Sequence, residues 1–174
     1  MKMKKTKILG LVLALIMFFT NLPFGSGIVH AEGEDVLIND DNFPDELFQA
    51  YVRKFDKNKD GSLSKAECDD VPKIDVSYEK HGYNDNPIKS LVGIEHFQNL
   101  ESLKFCNQGV KKIDLSKNLK LKTLDCTFNW LNNLDVSYNT ELTELICERI
   151  GLYNLFLDRN EKLVKLDCTN NNLS

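Results

Sequence analysis

The sequence predicts an α+β protein: a solenoid of stacked 21-residue rows behind a small helical cap. Three observations predict it. From Leu100 to Ser174 apolar residues recur in the same columns every 21 residues. Ahead of them two helical patterns flank an oxygen-rich loop, Asp56 to Glu67. Ahead of those, the first 31 residues have the layout of an export signal.

Lys2, Lys4, Lys5 and Lys7 precede an apolar run from Ile8 to Phe19, then Pro23, Gly25 and Gly27, then Val29-His30-Ala31. The run is shorter than the ~20 residues that cross a bilayer, and no stop-transfer pattern follows, so a cleaved signal peptide over 1–31 is favoured over a membrane anchor. Cleavage near Ala31 implies a secreted or surface location. It removes four lysines and no acid, leaving 18 basic against 26 acidic residues, a formal charge of −8. Nucleic acid and anionic lipid both need a basic footprint, so neither is an expected partner, and no stable membrane span remains after cleavage.

Residues 32–72 form the helical cap. Phe43, Leu47, Phe48, Tyr51, Val52 and Phe55 fall at helical spacing, with Asp41 or Asn42 as the expected cap and Pro44 in the first turn. Beyond the loop, Ser64 and Glu67 form a capping box for a second helix that Pro72 cuts short. Between them, residues 56–67 match D-x-[DN]-x-[DN]-G-x5-E at every fixed position: Asp56, Asn58, Asp60, Gly61 and Glu67. Ser62 would add a backbone carbonyl and Ser64 a direct or water-mediated contact. The stretch resembles a single EF-hand, which implies bound Ca2+.

Sensor EF-hands work in pairs, and no second loop is present. With no partner for Leu63, the phenylalanine-rich face is expected to cover the open end of the rows, where calcium would be structural. A site that binds only the folded state gains about 1.4 kcal/mol from calcium at ten times its dissociation constant.

Residues 73–99 read as an irregular first turn of the solenoid, in which Lys73-Ile74-Asp75-Val76-Ser77 echoes the later "LDVS" half-rows. His81 and His96 lie here without ligand-type spacing and are expected on the surface or in packing. Residues 100–174 then give about three and a half rows. Leu100, Leu121, Leu142 and Leu163 open them; Leu103, Leu124, Leu145 and Leu166 follow; then Phe105, Cys126, Cys147 and Cys168; then Val110, Leu131, Leu152 and Leu173. One row cannot bury its leucines alone, whereas stacked rows share a continuous core.

The pattern L-x-x-L-x-C-x-x-N-x-L resembles a leucine-rich repeat, which implies short parallel strands lining a concave face. Asn129 and Asn171 hold the asparagine column, where a buried amide satisfies backbone groups of its own and adjacent rows. Gln108 and Ile150 depart from it, so rows one and three should turn less regularly. Asn118, Asn139 and Asn160 form a second column suited to the convex-side turn.

An odd count of five cysteines in an exported chain suggests disulfides with one thiol over, but Cys126, Cys147 and Cys168 are each 21 residues apart. That points to small buried hydrophobes in a structural ladder. Cysteine in this column resembles the cysteine-ladder, internalin J-like variety of the internalin-type repeats of Gram-positive surface proteins. Phe105 takes the ladder position in row one, which places Cys106 toward the concave side and leaves a Cys68–Cys106 bond open.

No nucleophile, base and orienting group stand together, so the chain reads as a binder rather than an enzyme, with no catalytic residue. Phe128 and Ile146 on the polar concave strip, with Trp130 and Arg149 at its edge, are anchors of the kind interfaces use. The resemblance implies an exported, monomeric, calcium-stabilised module that binds a protein or glycan at the bacterial surface or on a host. One alternative is the N-terminal part of a longer secreted protein whose activity lies beyond residue 174. Another is a calcium-regulated binder.

Overall fold

A computed structural model describes residues 35–78 and 85–174; the expected signal segment, 1–31, and His81 lie outside them. Two sheets organise these residues. The smaller pairs β1 (Val36–Leu37) antiparallel with β2 (Ser62–Leu63). The larger is a parallel ladder of β3 (Lys73–Asp75), β4 (Ser102–Lys104), β5 (Thr123–Asp125), β6 (Glu144–Ile146) and β7 (Lys165–Asp167), adjacent in chain order.

The 21-residue period sets the register. Leu103 pairs with Leu124, Leu124 with Leu145 and Leu145 with Leu166, so each three-residue strand turns its central leucine inward and its flanking residues outward. Row two shows the content of one layer: Leu121, Leu124, Cys126, Leu131, Leu134 and Val136 are all buried. Burying each large aliphatic side chain is worth roughly 1.5–3 kcal/mol relative to exposure.

Amide side chains complete the rows. Asn129 donates to the carbonyls of Phe105, Cys126 and Thr127 at 2.8, 2.9 and 3.2 Å, and accepts from the Val110 N–H. Asn171 does the same two rows on, donating to Cys147, Cys168 and Thr169 and accepting from Ile150 and Leu152. On the other side of the stack, Asn118, Asn139 and Asn160 each donate to two carbonyls of the row before.

Rows one and three part company. Gln108 still bonds to the turn before it, donating to Val76 O at 2.6 Å and accepting from Ile88 N–H, so row one keeps an amide at this position. Row three departs as the sequence implies: the buried Ile150 offers no amide, and Asn132 and Gly151 both take positive φ beside it.

The irregular first turn corrects one expectation. Lys73–Asp75 resembles a convex "LDVS" half-row, yet it forms β3 and pairs with β4, Ile74 against Leu103. Burial decides: Ile74 supplies the central apolar residue that the concave sheet requires, and it is fully buried there.

In the cap, α1 (Glu46–Val52) starts from Asp45 rather than Asp41 or Asn42. Pro44 therefore precedes the helix, and Asp45 wins because its carboxylate reaches the N–H groups of Leu47 and Phe48. A 3₁₀ turn, Arg53–Phe55, leads to the loop, and α2 (Lys65–Asp69) follows it with both capping-box bonds present.

Leu63 does have a partner. It pairs with Val36 in β1, beside a bond from Ile38 N–H to Gly61 O. The cap covers the start of the stack as well: Phe43, Phe48 and Val52 are fully buried, Phe55 meets Phe97 edge-on at 5.6 Å, and His96 packs on Phe43. No helix among the described residues is long and apolar enough to cross a membrane.

Candidate functional site

Two regions carry the candidate site residues: the loop between α1 and α2, and the turns that leave the concave strands. In the loop, Lys59 and Gly61 adopt left-handed backbone, with φ of 61° and 88°. Such a turn folds side-chain oxygens inward over the loop's N–H groups. Asp56 accepts from Asp60 and Gly61, Asn58 from Asp60, and Asp60 from the Ser62 N–H and hydroxyl. Glu67 is buried and accepts from the N–H and hydroxyl of Ser64 and from Lys57 N–H at 2.7 Å.

These bonds favour the anions. The Ser62 hydroxyl and N–H, with the Asn58 amide, hold Asp60 below its ordinary range, and the Ser64 N–H and hydroxyl do the same for Glu67. Among the described residues no three His, Cys, Asp or Glu side chains gather as a metal-holding group. Asp56, Asp60 and Glu67 share the loop but turn to its N–H donors instead of converging. The chemistry of the donor set, three carboxylates with amide, carbonyl and hydroxyl oxygens and no nitrogen or sulfur, fits a hard cation such as calcium. Gly61 has open space around it, so its φ alone explains the glycine there.

The ladder cysteines are free thiols, as are Cys68 and Cys106. Cys126 and Cys147 are fully buried, and burial pushes the Cys147 thiol up to about 12 and Cys126 well above its ordinary value. Cys68, up to about 11, and Cys106, up to about 12, are likewise poor nucleophiles at neutral pH.

The outward residues of the concave strands form two columns, Lys73-Ser102-Thr123-Glu144-Lys165 and Asp75-Lys104-Asp125-Ile146-Asp167. Where the chain leaves each of β4 to β7 it passes through one left-handed residue: Asn107, Phe128, Arg149 and Asn170, all at φ between 51° and 56°. Asparagine tolerates this region, whereas for phenylalanine or arginine it is a strained and uncommon choice. The strained pair touches, with the Arg149 guanidinium 5.2 Å from the Phe128 ring centroid.

Phe128, Trp130 and Arg149 line one groove of about 760 Å³, together with Pro87, Asn132 and Asn172. Ile146 stays apart on its strand, half-buried, and does not line this groove. Trp130 is 63% exposed and also lines a second groove of about 920 Å³ with Lys112, Asn132 and Asn133.

The sequence offered a signal for this feature that column phasing alone passes over. The column containing Trp130 reads Gly109, Trp130, Gly151, Asn172, so an indole stands between two column positions without side chains. A Cβ on Gly151 would lie 2.4 Å from Asn132 Oδ1, and one on Gly109 3.2 Å from Pro87 Cγ.

No family model and no curated protein matches the chain. Solved structures do. A functional domain of InlJ from Listeria monocytogenes that includes a cysteine ladder matches with a TM-score of 0.70 and 28% identity, over 80% of this chain and 30% of that one. The internalins InlC2 and InlF of the same organism match with TM-scores of 0.60 and 0.51, at 17% and 20% identity. They cover 78% and 80% of this chain and 58% and 47% of theirs. This chain thus spans less than two thirds of each. The parallel sheet, the 21-residue turns and a cysteine column buried at Cys126 and Cys147, though half-buried at Cys168, make a leucine-rich repeat solenoid similar to these internalins.

Proposed function

We propose that this internalin-type, cysteine-ladder solenoid is an exported, calcium-stabilised binding module, without catalytic activity, for a protein or glycan at the bacterial surface or on a host. One observation carries the binding part: Phe128 and Arg149 are held against each other in backbone geometry that costs free energy, on a groove they share with the exposed Trp130. Strain of this kind persists where a side chain's placement is used.

The binding test compares wild-type chain with a Phe128→Ala/Arg149→Ala double variant on intact epithelial cells and on purified Gram-positive cell walls. Wild-type chain is expected to bind one of the two surfaces saturably, and the double variant to lose at least tenfold in affinity at an unchanged melting temperature. Equal binding by the two proteins removes the reading.

Calcium belongs to the same proposal through Asp56, Asn58, Asp60, Ser62, Ser64 and Glu67. The loop supports the cap directly, because β2 is its second half and holds β1. At calcium ten times its dissociation constant the folded state gains about 1.4 kcal/mol, which raises the melting midpoint by about 4 °C for a domain of this size. Thermal melts in calcium and in EDTA read this shift, and Glu67→Gln should abolish it. A midpoint that ignores chelation sinks the calcium claim and leaves the binding claim intact.

A further inference from the structure

Trp130 is the only tryptophan of the chain, and it stands 63% exposed at the junction of two grooves. Both of its row neighbours are glycine, so the indole's own column carries no side chain in the rows on either side. Around it lie Asn132, Asn133 and Asn172, all exposed, whose side chains make no hydrogen bond among the described residues. The column amides of this solenoid, Asn118, Asn129, Asn139, Asn160 and Asn171, are spent on backbone groups. These three are not.

Two common modes of peptide capture do not suit the place. Strand addition needs an open backbone edge, and here Trp130 N–H donates to Val110 O, Asn132 N–H to Ile150 O and Asn172 N–H to Leu152 O. An amphipathic helix needs a continuous apolar trough, whereas the groove that holds Phe128 and Trp130 is lined largely by amide side chains and Arg149. A flat aromatic surface ringed by groups that each donate and accept suits a ligand with a C–H face and a rim of hydroxyls. Charge agrees: in an acidic chain, the groove shared by Phe128 and Trp130 contains no carboxylate among its lining residues.

We propose that Trp130 is the stacking platform of an oligosaccharide site, with Asn132, Asn133 and Asn172 pairing with ring hydroxyls. This inference rests on the binding reading above and names its ligand class. Gly109 and Gly151 are positioning residues of the site. Gly151 lets the Asn132 amide lie against the backbone, and any side chain at that position would displace it.

Because Trp130 is the only tryptophan, its fluorescence reports the site directly. The chain is titrated with tri- to hexasaccharides, neutral and carboxylated, and with a polyproline peptide as the competing class. At least one oligosaccharide should shift the emission saturably. By calorimetry, Trp130→Ala should lose at least tenfold in affinity at an unchanged melting temperature, Trp130→Phe should retain part of it, and Asn132→Ala should weaken it severalfold. The absence of any saturable sugar response overturns the proposal, as does a response to polyproline alone. Binding to cells that is lost in Phe128→Ala/Arg149→Ala, but unchanged by Trp130→Ala and by enzymatic deglycosylation, also overturns it while the binding reading stands.

Discussion

The rows bury mainly leucines and the cap mainly phenylalanines, yet the larger difference is in how they satisfy their polar groups. In the rows one solution repeats: Asn129 and Asn171 make matching sets of bonds two rows apart, and Asn118, Asn139 and Asn160 do so on the other side. In the cap each contact is used once. Asp45 caps α1 with one carboxylate oxygen and holds the Lys89 and Ser90 N–H groups with the other, joining helix to first turn. Tyr51 accepts from Asp75 N–H, and Asn99 donates to Asp69 O. A repeated solution fails locally but takes neighbouring rows with it, since each layer buries the next. A single-use pin detaches one element.

The largest effect should come from breaking a row. Asn129→Ala strips the partner from three buried groups, the carbonyls of Phe105 and Cys126 and the Val110 N–H, while Thr127 O keeps its bond from Asn107 N–H; at roughly 1 kcal/mol or more for each group left unsatisfied, a loss of at least about 3 kcal/mol is expected. Against a typical stability of about 5–15 kcal/mol this is severe. Urea denaturation measures it, and hydrogen exchange should show protection lost in rows one and three as well as row two.

Breaking the cap should cost less. Asp45→Ala removes a helix cap worth about 1 kcal/mol and two further bonds at half-exposed positions where water replaces the carboxylate, about 2 kcal/mol in all. Exchange should rise in α1 and in residues 85–91 while β5 and β6 stay protected. Equal cost and equal spread for the two variants would erase the distinction between them.

What was legible in the sequence follows the same division. A fixed 21-residue period places Leu103, Leu124, Leu145 and Leu166 side by side, and in-register parallel pairing is the arrangement that keeps every one of them on the core side. The cap offers no repetition to read. β1 is two residues long and carries no period, so nothing in Val36-Leu37 announces that it pairs with Ser62-Leu63. Asp41, Asn42 and Asp45 all carry capping side chains, and the contacts that favour Asp45 include the N–H groups of Lys89 and Ser90, 44 and 45 positions on, as well as those of Leu47 and Phe48. Likewise "KIDVS" carries the letters of a convex half-row in a concave position, a choice settled by its neighbour in the stack. At the groove, Phe128, Trp130 and Arg149 were legible as exposed side chains. The left-handed turn under Phe128 and Arg149 was not, because neither residue type signals positive φ, although Asn107 and Asn170 in the same column do.

That column yields the smallest effect and the sharpest one, because it sets stability against binding inside a single row. Phe128→Asn puts the residue of rows one and four into the left-handed turn of row two. A left-handed conformation costs ordinary residues ~1–2 kcal/mol, and asparagine escapes part of that through local hydrogen bonds. The substitution also removes the contact between Arg149 and the Phe128 ring, worth about 0.5–1 kcal/mol at an exposed site. Relief outweighs loss by a small margin, so the variant should be more stable than wild type by about half a kcal/mol in urea. Its binding to whichever surface the wild-type chain recognises should fall at least tenfold. A variant that loses stability would show that the turn carries no strain. One that gains stability and keeps full binding would show that the strain is not there for the partner.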